Sequence, residues 1–286
     1  MAVRLIAVDI DGTLLDNKWE VPEANLKAIA EAVERGIEVA LVTGRRFDFA
    51  LPIARQIPCA LTMVVNNGAV IKSKDGATVL RHLLPRAVAR RVLEATREFR
   101  AGAAVVFDRP RENQIVYEQI DWEDPGRKSY FLRNKEYISQ CSPLEECLTE
   151  DPIQVMYTGP VGRMREVESA LRRLDGSGEY ALAVTEYEAR NFGLVDVIHP
   201  ACSKGAALAE LARMRGVGKE EVMAIGDNLN DREMLEFAGV AVVMGNSVPE
   251  LRRLGWRETK SNDEGGVAEA IEKYVLEPPM NADKRR

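Results

Sequence analysis

Asp9 and Asp11 stand one residue apart at the end of an apolar run, Val3 to Val8, rich in Val and Ile. That composition suits a strand buried on both faces. Side chains at i and i+2 of a strand share a face. Two ionised carboxylates held that close repel each other, and a hard divalent cation is the usual relief. Gly12 lets the chain turn, and Thr13 supplies a hydroxyl just beyond. A strand running into an ordinary Asp-Gly turn would look the same. Three further stretches join this one. Thr43, Gly44 and Arg45 follow a second apolar run and offer a hydroxyl and free backbone N–H groups at a helix entry, an arrangement that receives a phosphate. A Thr N-cap with a glycine turn explains them as well. Ser203, Lys204 and Gly205 place a lysine at a helix start, where the positive helix end disfavours it unless an anion binds there. Taken alone, a solvated surface lysine is the plainer reading. Gly226 to Asp231 sets two more carboxylates, Asp227 and Asp231, and Asn230 after a buried-type strand. Asx turns and N-caps use the same residues.

The elements that must position these groups alternate. After the first strand, Pro22 opens a helical pattern of Leu26, Ile29, Ala30 and Val33 that Gly36 closes. Ile37 to Val42 reads as a strand, Phe47 to Gln56 as a helix and Leu61 to Val65 as a third strand ending in Asn66, Asn67, Gly68 and Ala69. Val70 to Lys72 and Thr78 to Arg81 flank a Lys74-Asp75-Gly76 hairpin turn. This β-α-β-α-β rhythm predicts an α/β fold, a Rossmann-like doubly wound parallel sheet with helices on both faces. The rhythm breaks near Pro85. Helices over Arg86 to Phe99 and Gly162 to Leu174 mix with strands at Ala103 to Phe107, Gln114 to Tyr117, Ile153 to Tyr157, Tyr180 to Thr185 and Val195 to Ile198. Asp121 to Lys135 carries no assignable pattern. We expect an α+β cap domain over 85–190 inserted into a core of 1–84 and 191–276, with a flexible tail at 277–286. From Ser203 the alternation resumes, with strands at Val222 to Ile225 and Val240 to Val243 and a last helix from Gly266 to Tyr274. Ligands of open α/β sheets bind outside the carboxyl ends of the strands, so the four stretches should converge on one crevice.

Bulk properties exclude several classes. The chain has 286 residues, 46% hydrophobic and 29% charged, with a net charge of −6. That is a globular composition, and it argues against a general nucleic-acid surface. An anionic substrate must therefore be attracted locally, by a metal or by particular Lys and Arg residues. The four cysteines, Cys59, Cys141, Cys147 and Cys202, show no metal-site spacing and read as reduced thiols. Two histidines, His82 and His199, are too few for a His-based zinc site and read as structural. No apolar stretch spans a membrane and the N-terminus enters a strand directly, so a cytoplasmic location is expected.

As an ordered set, the four stretches resemble the motifs of the haloacid dehalogenase-like superfamily, in particular Cof-type phosphatases with a large α+β cap. The resemblance covers nearly the whole chain. It is strongest in the C-terminal core, where Met234 to Gly239, Met244 to Asn246 and Ser261 to Asp263 also match. It implies that Asp9 is the nucleophile and forms an aspartyl-phosphate, for which a weakly basic carboxylate suits. It makes Asp11 the general acid and then the base. It assigns Mg²⁺ to Asp9, the backbone carbonyl of Asp11 and Asp227, with Asp231 supporting from a second shell. Thr43, the N–H groups of Ile10 and Gly44, Lys204 and Asn230 would hold phosphoryl oxygens. Arg45 points to the same region, as a substrate or a surface residue.

The function so implied is Mg²⁺-dependent hydrolysis of a small phosphorylated metabolite, a sugar phosphate or a phosphoglycolate-like ester, by a monomer or homodimer. A sugar phosphomutase shares the core and cap but conserves phosphate. A non-catalytic phospho-ligand sensor could dispense with Asp9 or Asp11, and both are present. Asp11 and the Thr-Gly-Arg segment suit phosphate better than a haloalkanoic acid. The loops from Asp121 to Tyr130 and from Glu186 to Asn191 are candidates for specificity, or a solvated rim.

Overall fold

An apolar strand buried on both faces needs a partner on both edges, and Leu5–Asp9 has them: it lies in the interior of a sheet, with every residue buried. The computed structural model describes residues 2–174 and 178–277. In chain order the elements are β1 (Leu5–Asp9), α1 (Glu23–Glu34), β2 (Glu38–Val42), α2 (Phe47–Ala54), β3 (Thr62–Val65), β4 (Val70–Ser73) and β5 (Thr78–Arg81). There follow α3 (Arg86–Ala95), β6 (Ala103–Val106), β7 (Ile115–Tyr117), α4 (Lys128–Arg133), β8 (Ile138–Gln140), β9 (Gln154–Gly159), α5 (Val161–Leu174), β10 (Ala181–Tyr187) and β11 (Phe192–Ile198). The chain ends with α6 (Lys204–Arg215), β12 (Val222–Gly226), α7 (Arg232–Phe237), β13 (Val240–Val243), α8 (Pro249–Arg252), β14 (Arg257–Glu258) and α9 (Gly266–Ile271). Two compact units result, one from residues up to Leu80 and from Ser203 onward, the other from Arg81 to Cys202.

The first unit holds a sheet in the order β14-β13-β12-β1-β2-β3-β4-β5. Pairing is parallel from β14 to β3, and β4 runs antiparallel to β3. On one face Leu5, Ala7, Ala40 and Val42 pack with Leu208 and Leu211 of α6 and Met234 of α7. The alternate residues Ile6, Val8, Val39 and Leu41 are buried too, so the second face is also covered. A fully buried Leu, Ile or Val contributes roughly 1.5–3 kcal/mol. These strands therefore supply much of what holds the unit together. The reversal from β3 to β4 uses Asn66, Asn67 and Gly68 at φ of 50°, 53° and 92°. Asn and Gly tolerate that left-handed backbone better than other residues.

The second unit has the order β10-β11-β9-β6-β7-β8, antiparallel except for the parallel pair β7–β8. Val92 and Leu93 of α3 and Val167 and Leu171 of α5 pack on Val105, Val155, Tyr157, Val195 and Val197. The stretch without a sequence pattern contains α4, whose Phe131 packs edge-on to Tyr117 (5.4 Å) and Trp122 (5.9 Å). The insertion is longer than the expected 85–190. β11 pairs with both β9 and β10, so it belongs to the inserted sheet and not to the core. His82 and His199, near the two ends of the insertion, stack with centroids 5.5 Å apart. Burial, then His82, holds the His199 imidazole below its ordinary pKa. Of the tail expected at 277–286, residues 278–286 lie outside the described residues. Among the described residues no helix is long and apolar enough to cross a membrane.

Candidate active site

Parallel register brings the motif residues to one edge. Asp9 pairs with Val42, so Thr43 follows beside it, and Val8 pairs with Ile225, one residue before Gly226. The carboxyl ends of β1, β2 and β12 thus present Asp9, Thr43 and Asp227 together. Lys204 enters from the first turn of α6, whose N-cap Ser203 accepts a hydrogen bond from the Ala206 N–H at 3.0 Å.

Lys204 is not a surface lysine. It is 2% exposed, and its Nζ lies 2.6 Å from Asp9 Oδ1 and 2.6 Å from Asp231 Oδ1. The second oxygen of Asp231 accepts from the backbone N–H groups of Asp227 (2.9 Å) and Asn228 (3.0 Å). Asp231 therefore ties the turn after β12 to Lys204. Asp227 Oδ1 accepts from the Thr13 hydroxyl at 3.0 Å. The second oxygens of Asp9 and Asp227 accept no hydrogen bond from the described residues. One carboxylate oxygen each from Asp9, Asp227 and Asp231 fall within 4.8 Å of one another. Three buried carboxylates face one ammonium, and oxygen-only donors suit a hard cation.

The electrostatics follow from that imbalance. Burial, then the charge of Asp231, pushes the Asp9 carboxyl well above its ordinary range, against the pull of Lys204. Burial and Asp231 likewise raise Asp227 to about 7. Burial opposes the charge on Lys204, but Asp231 and Asp9 outweigh it and hold the ammonium above its usual range. The cluster lacks positive charge, as a site that receives a divalent cation would.

β1 stops at Asp9, and Ile10–Leu14 forms one wide turn closed by the Leu15 N–H on Ile10 O at 3.0 Å. Gly12 sits at φ +82°, and a Cβ there would collide with the Asp227 carboxylate. Gly226 is equally restricted, since a Cβ would lie 2.6 Å from that of Asp231. Side-chain amides brace the loop: Asn246 donates to Gly12 O (2.8 Å), Asn262 to Leu15 O (2.8 Å) and Asn25 to Leu14 O (3.2 Å). Asn246 and Asn262 lie in two of the stretches that resemble the family, but their bracing role depends on contacts across more than 200 residues. The role of Asn25 is equally silent in the local sequence, and Thr13, whose hydroxyl the sequence does offer, is not marked there as the partner of Asp227.

Because the strand ends, Asp11 does not share a strand face with Asp9 as its spacing predicted. Its carboxylate stands outside the three-oxygen cluster and takes both Nε (2.8 Å) and Nη2 (2.6 Å) of Arg45. Such forked, charge-assisted pairing fixes both planes. The Arg45 Cζ lies 5.5 Å from the ring centroids of Trp19 and Phe49. Thr43 is buried, and its Oγ1 accepts from the Arg45 N–H at 3.1 Å, which leaves its own O–H to donate. Asn67 N–H donates to Thr43 O (3.1 Å) and Asn66 N–H to Arg45 O (2.9 Å), clamping this segment. Ile10 is buried and Gly44 exposed. Asn230 is also exposed, and its side chain hydrogen-bonds to none of the described residues.

A parallel core with an inserted second sheet and a carboxylate–lysine cluster at the strand ends matches one family profile. The haloacid dehalogenase-like hydrolase model aligns with residues 6–271, and the chain belongs to that family. Within it the chain is a phosphatase-type enzyme, by its relatives. A phosphoglycolate phosphatase of Methanothermobacter thermautotrophicus is 30% identical over 273 residues, covering 96% of this chain and 99% of that protein. An HMP-PP phosphatase of Serratia proteamaculans is 30% identical over 251 residues, covering 88% and 87%. A solved haloacid dehalogenase-like hydrolase from Bacillus subtilis superposes with a TM-score of 0.79 at 25% identity, covering 96% and 100%.

Proposed function

We propose that this phosphatase hydrolyses the phosphomonoester of a small metabolite with Mg²⁺, through an aspartyl-phosphate on Asp9. The observation that carries the reading is the buried cluster in which Lys204 bridges Asp9 and Asp231 while Asp227 faces both. Asp9 Oδ1 is held by Lys204, and its other oxygen has no partner among the described residues. That oxygen attacks phosphorus as the bond to the leaving oxygen breaks. Asp11 delivers a proton to the leaving oxygen, then takes one from the water that hydrolyses the acyl phosphate. Arg45 pairs with the ionised form of Asp11, the form that takes the proton from water, and gives up one of its oxygens when Asp11 carries the proton for the leaving group.

Asp9, Asp227 and the backbone carbonyl of Asp11 would hold Mg²⁺. Asp231 has both oxygens engaged by protein donors, so it acts by fixing Lys204 and the turn that carries Asp227. When bound, the ion supplies charge against the transferring phosphoryl group. Lys204, the Thr43 hydroxyl and the N–H groups of Ile10 and Gly44 would take its remaining oxygens, with Asn230 at the open side. Relatives named for phosphoglycolate and for HMP-PP share a phosphate on a small organic body, which supports the class and not one member.

The test is phosphate release from a panel of small phosphomonoesters, with Mg²⁺ and with EDTA, by the wild type and by Asp9→Asn. Metal-dependent release that is lost in the variant is expected. Release that survives Asp9→Asn would end the nucleophile assignment.

A further inference from the structure

The catalytic loop runs directly into a five-residue turn that presents one large exposed aromatic side chain. Trp19 is 57% exposed and has φ +66°. A bulky residue in the left-handed region is an outlier that persists only where its surroundings impose it. They do so here. Asp16 N–H donates to Glu20 O, and Trp19 N–H to Asp16 O, both at 3.0 Å. Asp16 Oδ1 accepts from the N–H groups of Lys18 and Glu20, both at 2.9 Å. Asn17 anchors the turn to Asp263 through its N–H (2.8 Å) and its side-chain amide.

A single exposed aromatic means little by itself. What distinguishes Trp19 is its neighbour. Its ring covers the guanidinium of Arg45, and that guanidinium is committed to Asp11 through two hydrogen bonds. Asp11 gives its proton to the leaving oxygen, so the leaving group emerges beside Asp11 and next to Arg45 and Trp19. Trp19 and Phe49 lie against Arg45, so aromatic rings flank the fork in which Asp11 sits. A flat π system would stack on the indole.

We propose that Trp19 is a substrate-contact residue and that the preferred substrate is a phosphomonoester whose leaving group carries an aryl or heteroaromatic ring. This rests on the phosphatase reading and adds the class of leaving group to it.

The experiment compares kcat/KM for benzyl phosphate, cyclohexylmethyl phosphate and ethyl phosphate in the wild type, Trp19→Ala and Trp19→Phe. The first two esters are close in size but differ in the π face. We expect the wild type to prefer benzyl over cyclohexylmethyl phosphate. In Trp19→Ala that preference should fall about tenfold, or about 1.4 kcal/mol, through KM. Trp19→Phe should retain most of it. A preference unchanged in Trp19→Ala overturns the proposal, even if all three rates fall together, because equal loss means that Trp19 acts only through Arg45. A second measurement uses benzylphosphonate and cyclohexylmethylphosphonate, which cannot be hydrolysed at the P–C bond, titrated calorimetrically into the same proteins with Mg²⁺. Binding of benzylphosphonate weakened by Trp19→Ala about tenfold more than binding of cyclohexylmethylphosphonate upholds the contact even if the wild type hydrolyses no ester, in which case the phosphatase reading alone falls. Equal weakening of the two phosphonates, binding that ignores the substitution, or no binding to the wild type overturns the contact.

Discussion

Metal binding at this site should release protons, and the pH at which it does so follows from the carboxylates. Asp227 is raised to about 7 by burial and by Asp231, from an ordinary 3.8. Without metal, the folded chain therefore keeps a proton on Asp227 through the range in which the unfolded chain has lost it. Between those two values the folded state binds more protons, so its stability falls as pH rises. A displacement of about three pK units sets a ceiling of about 4 kcal/mol on that loss, complete above pH 7. Asp9 shifts in the same direction and for the same leading cause. A divalent cation binds the ionised carboxylates, so it must displace the Asp227 proton below pH 7 and need not displace it well above. Apparent Mg²⁺ affinity should rise about tenfold per pH unit below 7, for the one proton linked to Asp227, and less steeply above it. Calorimetric titration in two buffers of different ionisation enthalpy counts the protons released, and we expect at least one at pH 6 and fewer at pH 8.5. Asp227→Asn should remove most of the dependence along with most of the affinity. An affinity independent of pH from 6 to 8, with no proton release, would refute the charge imbalance on which the metal assignment rests.

Two further expectations concern stability. Lys204→Met leaves Asp9 and Asp231 buried without their shared cation and should cost about 3–5 kcal/mol, measured as a lower urea midpoint in the metal-free protein. An unchanged midpoint would show that the ammonium does not hold the cluster together. In the inserted unit, burial raises Asp196 to about 7, and Gln154 Nε2 donates to its Oδ1 at 2.8 Å. Asp196→Asn keeps that acceptor and removes the ionisation penalty. It should stabilise the unit by at most about 4 kcal/mol at pH 8, with no gain near pH 4; equal effects at both pH values would contradict the burial of a charge.

The parts of the site that are legible in the sequence are those that depend on where strands end. Asp9, Thr43 and Asp227 each follow an apolar run, and parallel register alone brings such positions to one edge. The β-α-β alternation, readable locally, supplies that register. What depends on pairing between distant segments is not legible in this way. The strand pattern of Val195 to Ile198 does not say which sheet it joins, and only its pairing with β9 assigns β11 to the insertion. Lys204 could be a surface residue by its helix position, and becomes a buried bridge because Asp9, 195 residues away, and Asp231, 27 residues away, close over it.

Asp11 shows the same limit from the opposite side. The i, i+2 spacing argues for two carboxylates on one face, but that holds only while the strand continues, and Gly12 at φ +82° marks a chain that has already turned. The turn separates two carboxylates of identical type into different surroundings. Asp9 is buried against an ammonium, and Asp11 is half-exposed in the fork of a guanidinium. Attack on phosphorus and proton transfer to the leaving oxygen need two such different groups, and a continuous strand would have placed both in one environment. On the proposed mechanism, the residue that departs from the period-two rule is the one that takes the second role.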